Sequence, residues 1–163
     1  MNRETLQRIV EEVADRLRLR ANSTATLSVA QLGEADIRRL VCRHASLRIV
    51  QVDLPLLEQL AGQRALGAAG NALHEAMACG VRVQLTLLPA LLPALAVKKL
   101  ARLPLTLSDP LGLPVRLHAA SVVTYADVAR LSGGYLVLRR RPIITALARE
   151  AAVARQVQLI KQE

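Results

Sequence analysis

The stretch that decides the fold is NALHEAMACGVRVQLTLL, residues 71–88. Its first half is rich in helix-forming alanine, and Leu73, Ala76 and Met77 share one helical face. Gly80 follows, and glycine reaches the left-handed conformation with which many helices end. After it, apolar residues occupy every second position, as in a strand: Val81, Val83, Leu85 and Leu87. The stretch predicts a helix, a stop and a strand.

The same alternation recurs through most of the chain. The predicted strands are residues 26–29, 47–54, 81–88, 105–107, 114–119, 135–138 and 157–160. The predicted helices are residues 31–42, 55–61, 89–100 with a break near Pro93, 124–131 and 143–155. Residues 62–70 are predicted as a flexible connection because three glycines interrupt them. The turn residues at 109–112 predict a hairpin between two of the strands.

Alternating strands and helices indicate an α/β fold with a mostly parallel, mixed sheet flanked by helices. The antiparallel part is expected near residues 105–119. At 163 residues, with 52% hydrophobic and 21% charged, the chain suits a single domain and is not disordered.

An amphipathic helix is predicted at residues 2–19, with Asn2 as a candidate cap. Its apolar residues form one stripe at helical spacing: Leu6, Ile9, Val10, Val13 and Leu17. Small polar residues follow, so the chain divides into a helix (1–20), a linker (21–25) and an α/β domain (26–163). The stripe either packs on the chain's own sheet or docks on another protein. A membrane-surface role is disfavoured, since the polar face has mixed charges and the stripe lacks Trp and Phe.

The net charge of +9, from 22 basic and 13 acidic residues, is compatible with nucleic acid, an anionic membrane or an acidic protein as the partner. Nucleic acid is disfavoured because the arginines are scattered and stacking aromatics are nearly absent. Cys42 and Cys79 show no metal-binding spacing and are predicted as small buried residues. The chain shows no secretory signal and no membrane-spanning segment, which predicts a cytoplasmic protein.

The sequence offers no catalytic motif. Ligands of α/β sheets bind at the carboxyl ends of strands, where the candidate polar residues are Asp53, Thr86, Asp109 and Arg139. None belongs to a glycine-rich phosphate loop or a nucleophile elbow. The three histidines (His44, His74 and His118) lack metal-ligand spacing. We therefore predict no catalytic, cofactor-binding or metal-binding residue, no enzymatic activity and no bound cofactor. The fold class alone leaves open an α/β protein that binds a nucleotide, flavin or cobalamin-related cofactor.

Several strings carry a family resemblance over the full length of the chain. They are MNRETLQRIVEEVADRL at the front, HASLRIVQVDLPLLEQLA, CGVRVQLTL and VKKLARLPLTLSDPLGLPVRLHA in the middle, and IITALAREAAVARQVQLIKQE at the back. The chain resembles the M-protein family of the propanediol-utilisation bacterial microcompartment. That resemblance implies a non-catalytic structural or assembly component inside this cytoplasmic organelle.

The same resemblance suggests a role for the front helix, since proteins of such organelles often carry terminal amphipathic helices that act as encapsulation signals. We therefore expect the stripe to be the partner-binding site and shell proteins, enzyme cargo or both to be the partners. The family supplies no catalytic residue to transfer to this chain.

Overall fold

The computed structural model of the chain describes residues 2–163. Its helices are α1 (Arg3–Ala21), α2 (Val29–Glu34), α3 (Ile37–Arg43), α4 (Leu54–Leu60), α5 (Ala68–Ala78), α6 (Val97–Leu100), α7 (Tyr125–Ala129) and α8 (Ala146–Ala154), with a 3-10 helix at Pro89–Ala94. Its strands are β1 (Thr24–Ser28), β2 (Ser46–Val50), β3 (Arg82–Thr86), β4 (Leu105–Ser108), β5 (Pro114–His118), β6 (Val122–Val123), β7 (Tyr135–Leu138), β8 (Ile143–Ile144) and β9 (Gln158–Lys161).

Seven strands form the central sheet, in the order β1-β2-β3-β4-β5-β7-β9. Every neighbouring pair in it is parallel except β4 and β5, which form the predicted antiparallel hairpin. Strands β6 and β8 make a separate two-stranded parallel pair. The predicted fold class, a mostly parallel mixed sheet flanked by helices, is confirmed.

Two apolar cores lie on opposite faces of this sheet. Leu47, Ile49, Val83 and Leu85 belong to the larger core together with residues of α2 to α6. Strand β7 divides between the cores: Val137 joins the larger one, whereas its neighbours Leu136 and Leu138 join the smaller one with residues of α7 and α8. Side chains alternate along a strand, so the two helix layers cover different faces.

The change of face follows from the hairpin. Crossovers between parallel strands are right-handed, so β1 to β4, which lie side by side in chain order, place all their connecting helices on one face. The hairpin reverses the direction of the strands, but each later strand of the sheet is still added on the same side of the one before it. The right-handed crossovers after β5 therefore place α7 and α8 on the other face.

Some element boundaries differ from the sequence prediction. The helix predicted at 31–42 is two helices, because Asp36 leaves the helical conformation and its carboxylate accepts the N–H of Arg39 at 3.3 Å. The helix predicted at 143–155 is shorter, because Ile143 and Ile144 pair with β6. The connection predicted at 62–70 gives way to helix α5 at Ala68.

Two local predictions are wrong. Cys42 and Cys79 are exposed rather than buried: Cys42 lies on the outer side of α3, and Cys79 directly follows the last residue of α5. Asn2 occupies the N-cap position of α1, but its side chain makes no capping hydrogen bond.

Candidate partner-binding surface

Helix α1 presents its apolar stripe to solvent. The stripe residues Leu6, Ile9, Val10, Val13 and Leu17 are between 44% and 58% exposed. Helix α1 contributes no buried residue, and neither core includes any part of it. The structure therefore differs from the alternative in which the stripe packs on the chain's own sheet. Leu19, near the carboxyl end of the same helix but on a different side from the stripe, is 74% exposed.

The polar side of α1 carries ion pairs that support an isolated helix. Arg16 donates to Glu12 at 2.6 Å, and Arg18 donates to Asp15 at 2.9 Å. Both pairs are solvent-exposed, so each contributes only a few tenths of a kcal/mol. At 19 residues the helix exceeds the length below which isolated helices are marginal in water.

The carboxyl end of α1 is hydrogen-bonded to the α/β body. The Nε of Arg20 donates to the Val41 carbonyl at 2.7 Å, and the Ala45 N–H donates to the Arg20 carbonyl at 3.1 Å. Beside them, Ser23 Oγ lies 2.6 Å from His44 Nδ1. Residues 22 and 23 alone separate α1 from β1, so the connection is shorter than the predicted linker at 21–25. These contacts fix the point from which α1 leaves the body.

The polar residues predicted at strand ends do not converge on one site. Asp53 and Thr86 line a pocket of about 650 Å³ at the carboxyl ends of β2 and β3, together with Leu88. Arg139 follows β7, which runs antiparallel to β2 and β3, so it lies at the end of the sheet where β2 and β3 begin. The hairpin thus separates residues that the sequence treated as one group.

The two aspartates of that group have local structural partners. Asp53 Oδ1 accepts the N–H of Leu56 at 3.0 Å and so caps α4. Asp109 is buried in the hairpin turn, where its Oδ1 accepts the N–H groups of Leu111 and Leu113 at 2.9 and 2.8 Å. Both carboxylates serve the backbone, which leaves Thr86 as the polar candidate in the pocket without such a role.

The histidines lie in separate parts of the fold. His44 pairs with Ser23, His118 Nε2 lies 2.8 Å from the Val122 carbonyl, and His74 is half-buried on α5. Across residues 2–163, no group of three His, Cys, Asp or Glu side chains is placed to hold a metal ion. Within the same residues, no helix is both long enough and apolar enough to cross a bilayer.

One carboxylate has a clearly shifted titration. Thr124 donates its backbone N–H at 2.7 Å and its hydroxyl at 2.8 Å to Asp127 Oδ2, forming a capping box at the start of α7. The hydrogen bond from the Thr124 backbone N–H, followed by that from its hydroxyl, lowers the pKa of Asp127 below its usual value. This interaction starts a helix and involves no pocket residue.

Comparison with known proteins adds the family. A family model described as "PDU_like: Putative propanediol utilisation" matches residues 8–158. The chain is 60% identical to the "Bacterial microcompartment assembly protein PduM" of Salmonella typhimurium over 163 residues, which is all of both chains. It is 57% identical, over the same full lengths, to the protein of the same name from Citrobacter freundii. No solved structure matches the chain. The chain belongs to the M-protein family of the propanediol-utilisation bacterial microcompartment.

Proposed function

We propose that this protein is a non-catalytic assembly component of the propanediol-utilisation bacterial microcompartment. In this proposal it links shell and enzyme cargo through protein–protein contacts, and α1 is the docking element. The relatives' name, "Bacterial microcompartment assembly protein", supports the assembly role. The observation that carries the docking role is the exposed apolar stripe of α1 beside a body whose cores are complete without it.

The size of the stripe suits a reversible contact. Full burial of a large aliphatic side chain contributes about 1.5–3 kcal/mol. The stripe side chains are already about half covered by their own helix, so docking gains roughly half of that at each of the five positions, or about 4–7 kcal/mol in total. Association and side-chain ordering cost a similar amount, so one helix alone binds weakly. Repeated copies on an assembling shell would strengthen such binding.

The anchored end of α1 shapes how the stripe is presented. Arg20 and Ser23 tie the helix base to the body, so the stripe projects from a fixed point and does not swing on a long tether. A fixed direction lowers the entropy lost on docking and limits which partner geometries fit.

The test compares two double variants of α1 in the full-length chain. In Val10→Gln with Val13→Gln, the stripe is interrupted while helix propensity rises slightly. In the matched control, Glu4→Gln with Glu11→Gln, the same number of side chains changes on the opposite side of the helix. We expect the stripe variant to fold normally and to be lost from purified microcompartments, whereas the control co-purifies with them.

A truncation completes the test. Removal of residues 2–18 deletes the stripe but keeps Arg20, whose side chain and carbonyl contact the body. We expect a folded body that no longer partitions into the organelle. Full partitioning of the truncated protein and of the stripe variant would refute the docking role.

The pocket at the carboxyl ends of β2 and β3 favours a second candidate, an α/β protein that binds a nucleotide, flavin or cobalamin-related cofactor inside the organelle. Its position matches the ligand sites of open α/β sheets, and Thr86 offers a hydroxyl there. A thermal shift of the wild-type protein with one of these ligands, abolished by Leu88→Arg at the pocket wall, would favour this candidate. Unchanged unfolding temperatures with all three ligand classes would exclude it.

A further inference from the structure

The sheet has a second unpartnered surface, on the side away from the larger core. We call it the open face: the β1–β5 side chains that point away from α2–α6. One row of it runs Thr26, Arg48, Gln84 and Thr106 in register across four strands. Arg82 and Arg116 lie on the same face, by strand alternation. Thr26, Arg48, Arg82, Thr106 and Arg116 are all exposed.

The topology leaves this face uncovered. The helices that connect β1 to β4 all lie on the larger core's side, and α7 and α8 pack beyond it, against β7 and β9. Parallel strands are almost always covered on both faces, unlike antiparallel ones. Four neighbouring parallel strands with one bare face are therefore an arrangement that a partner would complete.

The charge of the face indicates what kind of partner fits. Arg48, Arg82 and Arg116 supply three guanidinium groups, and no strand residue of the open face is acidic. Two of these arginines make long, exposed hydrogen bonds: Arg48 donates to Gln84 at 3.4 Å, and Arg82 donates to the Ala21 carbonyl at 3.4 Å. Because these hydrogen bonds are long and exposed, the arginines are available to another partner. Guanidinium groups bind carboxylates with two parallel hydrogen bonds, so an acidic surface suits them.

We propose that the open face binds an acidic surface of a partner protein. The four-strand row is about 14 Å across, from neighbouring strands about 4.8 Å apart, which accommodates one α-helix about 10 Å wide. Short Thr and Ser side chains between the arginines leave room for such a helix to approach. This proposal goes beyond the docking role of α1 and does not depend on it.

Two other occupants fit the surface less well. The apolar stripe of α1 has no apolar counterpart on this polar face, so docking of that stripe here is disfavoured. Single-stranded nucleic acid binds sheet faces through stacked aromatic side chains, and the open face has none. An acidic helix satisfies the arginines without needing either feature.

The test is a titration of the ¹⁵N-labelled full-length chain with a Glu- and Ala-rich helical peptide of about 20 residues, followed by NMR. We expect amide shifts at Arg48, Gln84 and Thr106, and weaker binding at higher salt. The double reversal Arg48→Glu with Arg116→Glu should weaken binding about tenfold or more. The control, Arg39→Glu with Lys99→Glu, changes the net charge equally on α3 and α6, and should bind like wild type apart from a small long-range loss.

Several results would overturn the proposal. Equal loss in the two reversal variants would mean that net charge alone attracts the peptide. Tighter binding of duplex DNA at the same amides would make the face a nucleic-acid site. Shifts of α1 amides in the Arg48→Glu, Arg116→Glu protein without peptide would mean that the chain's own helix covers the face. A wild-type dimer that this variant dissociates, seen by sedimentation, would make a second copy the occupant.

Two further measurements keep the outcomes separate. Far-UV circular dichroism and urea unfolding of each variant exclude loss of binding through misfolding. The stripe variant Val10→Gln, Val13→Gln should bind the peptide normally, so failure of α1 docking and failure of this proposal can be distinguished.

Discussion

The backbone conformation at Gly134 predicts the most severe effect of a single added methyl group. Gly134 precedes β7 and has φ +84°, a conformation that side chains other than glycine rarely adopt. An added Cβ would also overlap the carbonyl oxygen of Pro114 and lie 3.0 Å from its Cγ and Cδ. Pro114 begins β5, the strand that pairs with β7. The methyl group therefore presses on a paired strand that cannot move alone.

The neighbouring residue is a matched control. Gly133 has φ +72°, but an added Cβ there meets no atom within 4 Å. Alanine at either position is destabilising by about 1–2 kcal/mol, because it must adopt the left-handed backbone conformation. Alanine at Gly134 is destabilising by a further amount, about 1–3 kcal/mol, because its methyl group overpacks the contact with Pro114. We expect Gly133→Ala to lower the free energy of unfolding by about 1–2 kcal/mol and Gly134→Ala by about 2–5 kcal/mol.

Urea unfolding followed by far-UV circular dichroism measures both variants, since the chain has no tryptophan to report by fluorescence. Equal losses of stability at Gly133 and Gly134 would refute the close approach of the two strands. A loss below 0.5 kcal/mol at Gly133 would refute the assigned backbone cost, about 1 kcal/mol or more.

Three other outcomes are expected. The Thr124 hydrogen bonds lower the pKa of Asp127, so its carboxylate stabilises the fold above the unfolded-state pKa, and this stability is lost as pH falls below about 3.8. Asp127→Asn should therefore reduce the fall of the urea midpoint in that pH range, and an unchanged pH profile would contradict this. Arg20→Ala removes the hydrogen bond to α3 and should increase the fast backbone mobility of α1 in ¹⁵N relaxation without changing the mobility of the body; equal α1 mobility in the two proteins would show that Arg20 does not hold the helix. Cys42 and Cys79 are exposed, so both thiols should react with Ellman's reagent in the native protein at rates close to those in urea, and slow labelling of either one would place it in a protected site.

Much of the fold follows from local patterns. The helix–Gly80–strand stretch at residues 71–88 is realised as α5, a left-handed glycine and β3. Its pattern was readable because period, helix stop and strand alternation agree over 18 residues. The hairpin at 109–112 was readable for a similar reason: Asp109 and Gly112 are typical turn residues.

What the sequence concealed depends on contacts between distant residues. The pairing of Ile143 with Val122 turns the start of a predicted helix into a strand, and nothing within residues 143–155 signals the partner. The exposure of Cys42 likewise depends on which side of α3 meets the core, and that side is the one that carries the buried Ile37. The spacing of apolar residues was enough to predict the stripe of α1. Its exposure to solvent could not be predicted, because it depends on both cores being formed without any residue of α1.

The hairpin between β4 and β5 connects the fold to the proposed bridging role. Because of the hairpin, α7 and α8 lie on the face opposite α2–α6, and they pack against β7 and β9. That face of β1–β4 therefore has no helix over it. Arg82, on that bare face, reaches the Ala21 carbonyl at the base of α1, so the two proposed surfaces adjoin at one edge of the body. One surface is apolar and the other is basic, so salt should weaken the second contact and spare the first. A linker that joins two partners needs such chemically distinct surfaces, because a partner suited to one is then rejected by the other.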